Sequence, residues 1–318
     1  MKLFIRNLIL FAITSLIIFM GLVIAERMIL NRQGRFRLSE RDKYIILGHS
    51  HPQMDYDDKL IDSSLNLASS GEAYFYTYIK LNKILESNQD KKILFIEYTN
   101  NNIKPAMNNW IWDDIHILDK YKLYSAYTRY NETKLLYSKN PKTTILCNIK
   151  SVINNAYYIF NLKNITVEEK MGGYYHLVRD KTDSLLQALI TNPPDSTLDT
   201  NFSYANVAYL KKIIDVCREK GIALYLVRSP LHPMYDAYRN EIKFREFLNN
   251  DLQGVEFLDF KNCSFTNEEF GDLEHLNYRG AKKYSLFFNR LLKSGLLEKQ
   301  DKQKFIDEEI AKEKLLDR

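Results

Sequence analysis

Hydrophobic and polar positions alternate in three different ways along this chain, and each predicts a different element. From Leu8 to Ala25 the stretch LILFAITSLIIFMGLVIA holds no charge. About 20 apolar residues cross a bilayer as a helix, so residues 1–30 predict a membrane-spanning signal anchor. Short apolar runs closed by polar turns predict buried strands at Tyr44 to Leu47 and in SSLNLASSG, KKILFIEY, ALYLVRSP and VEFLDF. Apolar positions at helical spacing lie between them. AYFYTYIKLNKILES carries Tyr74, Tyr78, Leu81 and Leu85; ANVAYLKKIIDVCREKGI, NEIKFREFLNND and NYRGAKKYSLFFNRLLKSGLL follow the same rule, and Gly221 stops the second of these helices. Strands alternating with helices predict an α/β class: a parallel sheet covered by helices on both faces.

The same pattern divides the chain. Residues 31–42 are polar and basic and are expected to form a linker. The α/β domain is expected over 43–102 and 204–295. Residues 103–203 break the alternation with mixed helical and irregular character, and hold Trp110, Trp112 and many tyrosines. They predict a large, mostly helical, aromatic-rich cap inserted after the third strand. Its rings suit either sugar faces or the cap's own small core. Residues 296–318 are densely charged and predict a solvated helix or a frayed tail.

Charge and cysteine usage narrow the function. The net charge of +5 is spread along the chain, and no Lys/Arg block alternates with aromatics, which excludes a nucleic-acid partner. Cys147, Cys217 and Cys263 are far apart without CxxC spacing, which excludes a disulfide framework or a thiolate zinc site and leaves one disulfide open. No stretch calls for a cofactor. Lys2 and Arg6 ahead of a single hydrophobic segment form the usual export signal, so the domain is expected outside the cytoplasm, periplasmic or at the cell surface. Arg27, Arg32, Arg35 and Arg37 count the other way under the positive-inside rule. Val23 and Ala25 before Glu26 suit a signal peptidase, and cleavage stays open.

In an open α/β sheet, ligands bind at the carboxyl ends of the strands. Those ends read Gly48-His49-Ser50-His51, Ser69-Ser70-Gly71, Thr99-Asn100-Asn101-Asn102 and Arg228-Ser229-Pro230-Leu231-His232; after the fifth strand comes NEEFGDLEHLNYRGAKKYS. Asp272 and His275, three apart at the entry of a helix, place an imidazole beside the carboxylate that orients it. A serine hydroxyl needs such a base to act as a nucleophile, and Ser50 is the candidate. The backbone N–H groups of Ser50 and Gly71, with an asparagine from the third strand end, would make the oxyanion hole. A different chemistry is also available. His49 and His51, read as an extended strand, would share one face and hold a metal with help from His232, Asp259, Asp272 or His275.

A serine in a strand-end Gly-x-Ser, a glycine after the second strand, an asparagine after the third and Asp-x-x-His-Leu-Asn before the last helix together resemble the SGNH (GDSL-like) hydrolases. The resemblance covers about residues 43–102 and 204–295. It is similar most of all to the membrane-anchored, extracytoplasmic members that modify cell-surface polymers, such as alginate O-acetyltransferases and the teichoic-acid D-alanyl transfer protein. It implies a flavodoxin-like three-layer α/β/α fold, Ser50 as nucleophile, His275 as base, Asp272 as its orienter, and Gly71 with Asn101 or Asn102 as oxyanion donors. It also implies an esterase or O-acyltransferase working through an acyl-Ser50 ester on a cell-surface glycan or acylated saccharide, with a membrane-bound acyl donor as partner and no metal. Where the family carries an acid before the serine, this chain has His49; His49 and His51 are expected near the pocket. Two other readings stand beside this one: a non-catalytic SGNH-like module that binds glycan or scaffolds a complex, and a metal-dependent hydrolase using His49 and His51.

Overall fold

The computed structural model describes residues 1–32, 36–88, 92–161, 171–191 and 202–316. Five short strands form one parallel sheet: β1 (Tyr44–Leu47), β2 (Ser64–Asn66), β3 (Ile93–Glu97), β4 (Ala223–Arg228) and β5 (Glu256–Asp259), in the order β2-β1-β3-β4-β5. That order is flavodoxin-like. β1 pairs with β2 on one side (Ile45 opposite Leu65) and with β3 on the other (Ile45 opposite Leu94), so the connections reverse direction between β1 and β3. A crevice opens at such a switch point, at the carboxyl ends of the strands.

Both faces of the sheet are buried, which is why the strands read as unbroken apolar runs. With a side-chain period of two, Ile45, Leu47, Leu94, Ile96 and Leu226 enter one core and Ile46, Phe95 and Val227 the other. The first core is closed by the helices Tyr74–Ser87 and Tyr204–Glu219 together with Tyr121, Tyr124 and Tyr127 of the inserted segment. The second is closed by the helix Tyr278–Lys293, through Tyr284, Phe287, Phe288 and Leu291, and by Leu258, Phe260 and Phe270.

The charged C-terminal stretch forms a helix, Lys302–Leu316, as one of the two expectations had it, but it is not solvated all round: Ile306 and Ile310 are buried against the second core. The linker packs on the domain. Phe36 and Leu38 are buried, and Asn88 ties them down by accepting from the Leu38 N–H and donating to the Phe36 carbonyl. Residues 33–35 of that linker lie outside the described residues.

Among the described residues of 103–203 there is no strand; short helices lead into Tyr130–Lys139, Pro141–Asn161 and Thr182–Thr191. Residues 162–170 and 192–201 of the expected cap lie outside the described residues. The N-terminal helix, Lys2–Arg32, contains a span over Lys2–Leu30 long and apolar enough to cross a membrane. Among the described residues its last turns meet the rest of the chain: Leu30 is buried in the first core, and Arg27 donates to the Ser125 carbonyl. Cys147, Cys217 and Cys263 are free thiols.

Candidate active site

β1 ends at Leu47, Gly48 turns the chain, and a helix begins at Ser50 (Ser50–Asp55). Gly48 has φ +148, and a Cβ there would lie 2.6 Å from Glu97 Cβ and 2.7 Å from Pro52 Cγ. Only glycine lets the end of β3 approach this closely. Gly48→Ala is therefore expected to cost about 1–3 kcal/mol through overpacking and strain, read as a lower denaturant midpoint at unchanged m.

The second half of the site sits before the helix Tyr278–Lys293. Asn277 caps that helix by accepting from the Arg279 and Gly280 N–H groups, and its own amide donates to the Glu268 and Phe270 carbonyls. This closes residues 267–277 into a compact loop, pinned again by the pairing of Phe270 with Leu276. From this loop His275 projects back to the β1 turn. Its Nε2 is 2.8 Å from Ser50 Oγ, and its Nδ1 is 2.9 Å from Asp272 Oδ1.

Asp272 Oδ1 also accepts from the Glu274 and His275 backbone N–H groups, and Oδ2 pairs with Arg179. Burial works to raise its pKa, but the His275 hydrogen bond and charge, the Glu274 N–H and Arg179 outweigh it and hold the carboxyl at about 2. Asp272 thus stays ionised. It fixes the His275 tautomer with the proton on Nδ1, leaving Nε2 to accept from Ser50. From below, Asp55 Oδ1 accepts from the Leu276 N–H at 3.1 Å, which ties the helix behind Ser50 to the residue after His275.

Arg179 comes from a segment that laces the inserted region to the sheet. The Gly173 N–H donates to the Ala68 carbonyl, the Tyr175 N–H to Gln53, the Tyr278 N–H to Leu177 and the Lys181 N–H to Gly271. Arg179→Ala is expected to lower kcat between about 10- and 100-fold with little change in KM, because an Asp272 free to swing misplaces His275; Arg179→Lys should restore part of the loss.

His49 and His51 do not share a face of an extended strand. His49 precedes the helix and His51 lies in its first turn, and both rings turn inward onto Glu97, the last residue of β3. The Glu97 carboxylate accepts the His49 backbone N–H at 2.8 Å and lies 3.0 Å from His49 Nε2 and 2.7 Å from His51 Nδ1. Burial disfavours the charge on Glu97, yet His49 and His51 hold its pKa well below the usual range. Burial also lowers His49, whereas for His51 the carboxylates of Glu97 and Glu274 overcome burial and push the pKa up to about 10. His49 Nδ1 is 3.3 Å from Ser50 Oγ, and its ring meets Trp110 edge-on.

The expected oxyanion donors are placed unevenly. The Ser69 N–H donates to the Gly48 carbonyl, which brings the Ser69–Gly71 turn beside the β1 end, and Gly71 (φ +72) faces His116. Asn102 is bound in its own turn, its Oδ1 accepting from the Thr99 N–H and hydroxyl, and Asn101 accepts from the Lys104 N–H through its backbone. At the β3 end the Glu97 carboxylate reaches the Ser50 turn through the His49 N–H. Asn100 and Asp259 are taken up by Arg228, away from the triad. His232 braces the loop beside the site, with Nε2 3.2 Å from Asn267 and the Met234 N–H on Nδ1.

Fold and site together define the class: a flavodoxin-like α/β protein presenting a Ser–His–Asp hydrogen-bonded chain at its switch point. A family model that carries no description matches residues 186–297, less than half of the chain. No curated protein matches it. Among solved structures, a distant match is the crystal structure of a putative acylhydrolase from Bacteroides fragilis NCTC 9343. It is 9% identical, covers 83% of this chain and 93% of that one, and has a TM-score of 0.38.

Proposed function

We propose that the chain is a membrane-anchored serine hydrolase or O-acyltransferase of the SGNH type, acting through an acyl-Ser50 ester. The observation that carries this reading is the continuous chain Ser50 Oγ–His275 Nε2–His275 Nδ1–Asp272, at 2.8 and 2.9 Å, with Asp272 ionised. In the first half-reaction Ser50 Oγ attacks an ester carbonyl while its proton passes to His275 Nε2. The imidazolium then returns that proton to the departing alkoxide, leaving acyl-Ser50. Water or a sugar hydroxyl, deprotonated by the same Nε2, attacks the acyl carbon in the second half-reaction and frees Ser50. The Ser50 backbone N–H, at a helix N-terminus, and that of Gly71 are the proposed oxyanion donors, each worth about 10²–10³ in rate.

The proposed substrate is an acylated cell-surface glycan, with the acyl group handed over by a membrane-bound donor. The apolar Lys2–Leu30 span supports a position at the membrane, and the basic start supports a domain on its outer side. The full-length chain should stay in the membrane pellet after an alkaline wash and be cut by protease added to the outer face; protection there would reverse the orientation. Turnover of p-nitrophenyl acetate, with and without an added oligosaccharide acceptor, tests the chemistry. Hydrolysis lost in Ser50→Ala supports the serine pathway, and acyl transfer to the sugar separates transferase from esterase. Hydrolysis that survives Ser50→Ala undiminished sinks the reading.

A further inference from the structure

Behind Ser50 the chain buries three donor groups that the triad does not use. His49, His51 and Glu97 are 1%, 0% and 3% exposed. Glu97 Oε2 accepts the His49 backbone N–H, and Oε1, which the Thr99 hydroxyl reaches at 3.5 Å, faces both rings. The contacts of Oε1 with His49 Nε2 and His51 Nδ1 are short, yet neither ring nitrogen is aligned on it as a hydrogen bond. His49 Nε2 and both nitrogens of His51 are buried without a hydrogen-bond partner. Leaving buried polar atoms in that state costs about 1–3 kcal/mol each. Two of them, His49 Nε2 and His51 Nδ1, face the same Glu97 oxygen and point to a centre between them, while His51 Nε2 lies 3.8 Å from Glu274.

The spacing names the kind of centre. One donor atom from each of His49, His51 and Glu97 falls within a common 4.8 Å. Ligand atoms about 2.0–2.2 Å from a first-row divalent ion lie roughly 3 Å from one another, close to the 2.7 and 3.0 Å separations here. Two imidazoles and one carboxylate suit zinc or its first-row neighbours, whereas calcium and magnesium take oxygen ligands. The surroundings are built for the cluster, since Gly48 lacks the Cβ that would collide with Glu97.

We infer that His49 Nε2, His51 Nδ1 and Glu97 Oε1 form a binding site for one first-row divalent cation directly behind Ser50. The ion satisfies the two buried ring nitrogens that face Glu97, His49 Nε2 and His51 Nδ1. Ligation through Nε2 leaves the proton of His49 on Nδ1, 3.3 Å from Ser50 Oγ. His49 then donates to Ser50 while Ser50 donates to His275. With the proton on Nε2 instead, Nδ1 would be an acceptor competing with His275 for the hydroxyl. The ion thus makes His49 a positioning residue for Ser50, a consequence that rests on the serine reading; the site itself does not.

The test uses full-length protein in detergent, stripped with chelator and dialysed into metal-free buffer. Zinc chloride is titrated by calorimetry and bound metal is counted by elemental mass spectrometry. One equivalent per chain with a raised melting temperature is expected for wild type and for Ser50→Ala. Glu97→Gln and His51→Gln should bind about 100-fold more weakly or worse, in line with or beyond the 10–100-fold that outer partners of a metal site contribute. The inference falls if folded wild type takes up no zinc at micromolar concentration, or if the two variants melt as wild type and still bind as tightly. Should the variants not fold, Co²⁺ on wild type decides: visible bands of nitrogen-ligated cobalt support the site, and their absence overturns it. Zinc uptake and Ser50 chemistry are read separately, so either can fail without the other.

Discussion

His275→Ala and Asp272→Asn should each lower kcat/KM for an aryl acetate by about 10⁴-fold, close to 5.5 kcal/mol of transition-state stabilisation. The two losses have different physical origins. Without the imidazole, Ser50 Oγ has no base at 2.8 Å to take its proton. With asparagine at 272, the backbone N–H groups of Glu274 and His275 still have an amide oxygen to bond, so the loop is expected to hold its shape. The negative charge that holds the proton on His275 Nδ1 and stabilises the imidazolium is gone. The double variant Ser50→Ala/His275→Ala should be no slower than either single one, because the residues act as one unit. Steady-state rates on protein with wild-type circular dichroism check this; losses that multiply would mean that Ser50 and His275 work separately.

Arg228→Met should be the most destabilising single change, at about 3–5 kcal/mol. The Arg228 side chain is 0% exposed and uses all five N–H donors: two on Asp259, two on Glu241 and one on Asn100. The guanidinium packs against Phe244, 4.7 Å from its centroid, which a flexible ammonium does not replace. Removing it strands the buried Asp259 and the half-buried Glu241, which Arg245 and Lys261 still touch from the outer side. The network also sets a pH dependence. Burial works to raise Glu241, but hydrogen bonds from Arg228 and Asn100 prevail and lower its pKa to about 2. A depressed carboxyl contributes its full stability above its unfolded value of about 4.5 and loses it as pH falls toward 2. Urea midpoints should thus drop between about pH 4.5 and 2 in wild type and less steeply in Glu241→Gln. An unfolding free energy for Arg228→Met within about 1 kcal/mol of wild type would show that the network is not needed.

Much of this fold was legible because burial on both sheet faces leaves unbroken apolar strands, and each strand end then announces itself by polarity. Ser50, Asp272 and His275 could be placed at one site because Asp-x-x-His lies in a single loop and Ser50 at the first strand end. What could not be read depends on distance along the chain. Arg179 reaches Asp272 across 93 residues with no local pattern. Nothing in ILFIEYT says that Glu97 meets two histidines from another strand end. His-x-His gave the wrong geometry because Gly48 turns the chain and a helix begins at Ser50, replacing the strand period of two. Ile306 and Ile310 are the buried apolar positions of a run dominated by charge, too few to signal the buried face of the last helix. The asparagines offered three choices at the third strand end, and their hydrogen bonds belong to turns and to the Arg228 network.

The most direct measurement of the central claim is the intact mass of the full-length protein in detergent after exposure to a fluorophosphonate probe. A single adduct on wild type, mapping to Ser50, absent in Ser50→Ala and slowed in His275→Ala, is the predicted result. Folded wild-type protein that gains no adduct, or one that Ser50→Ala still acquires, would contradict an activated serine at the end of the first strand.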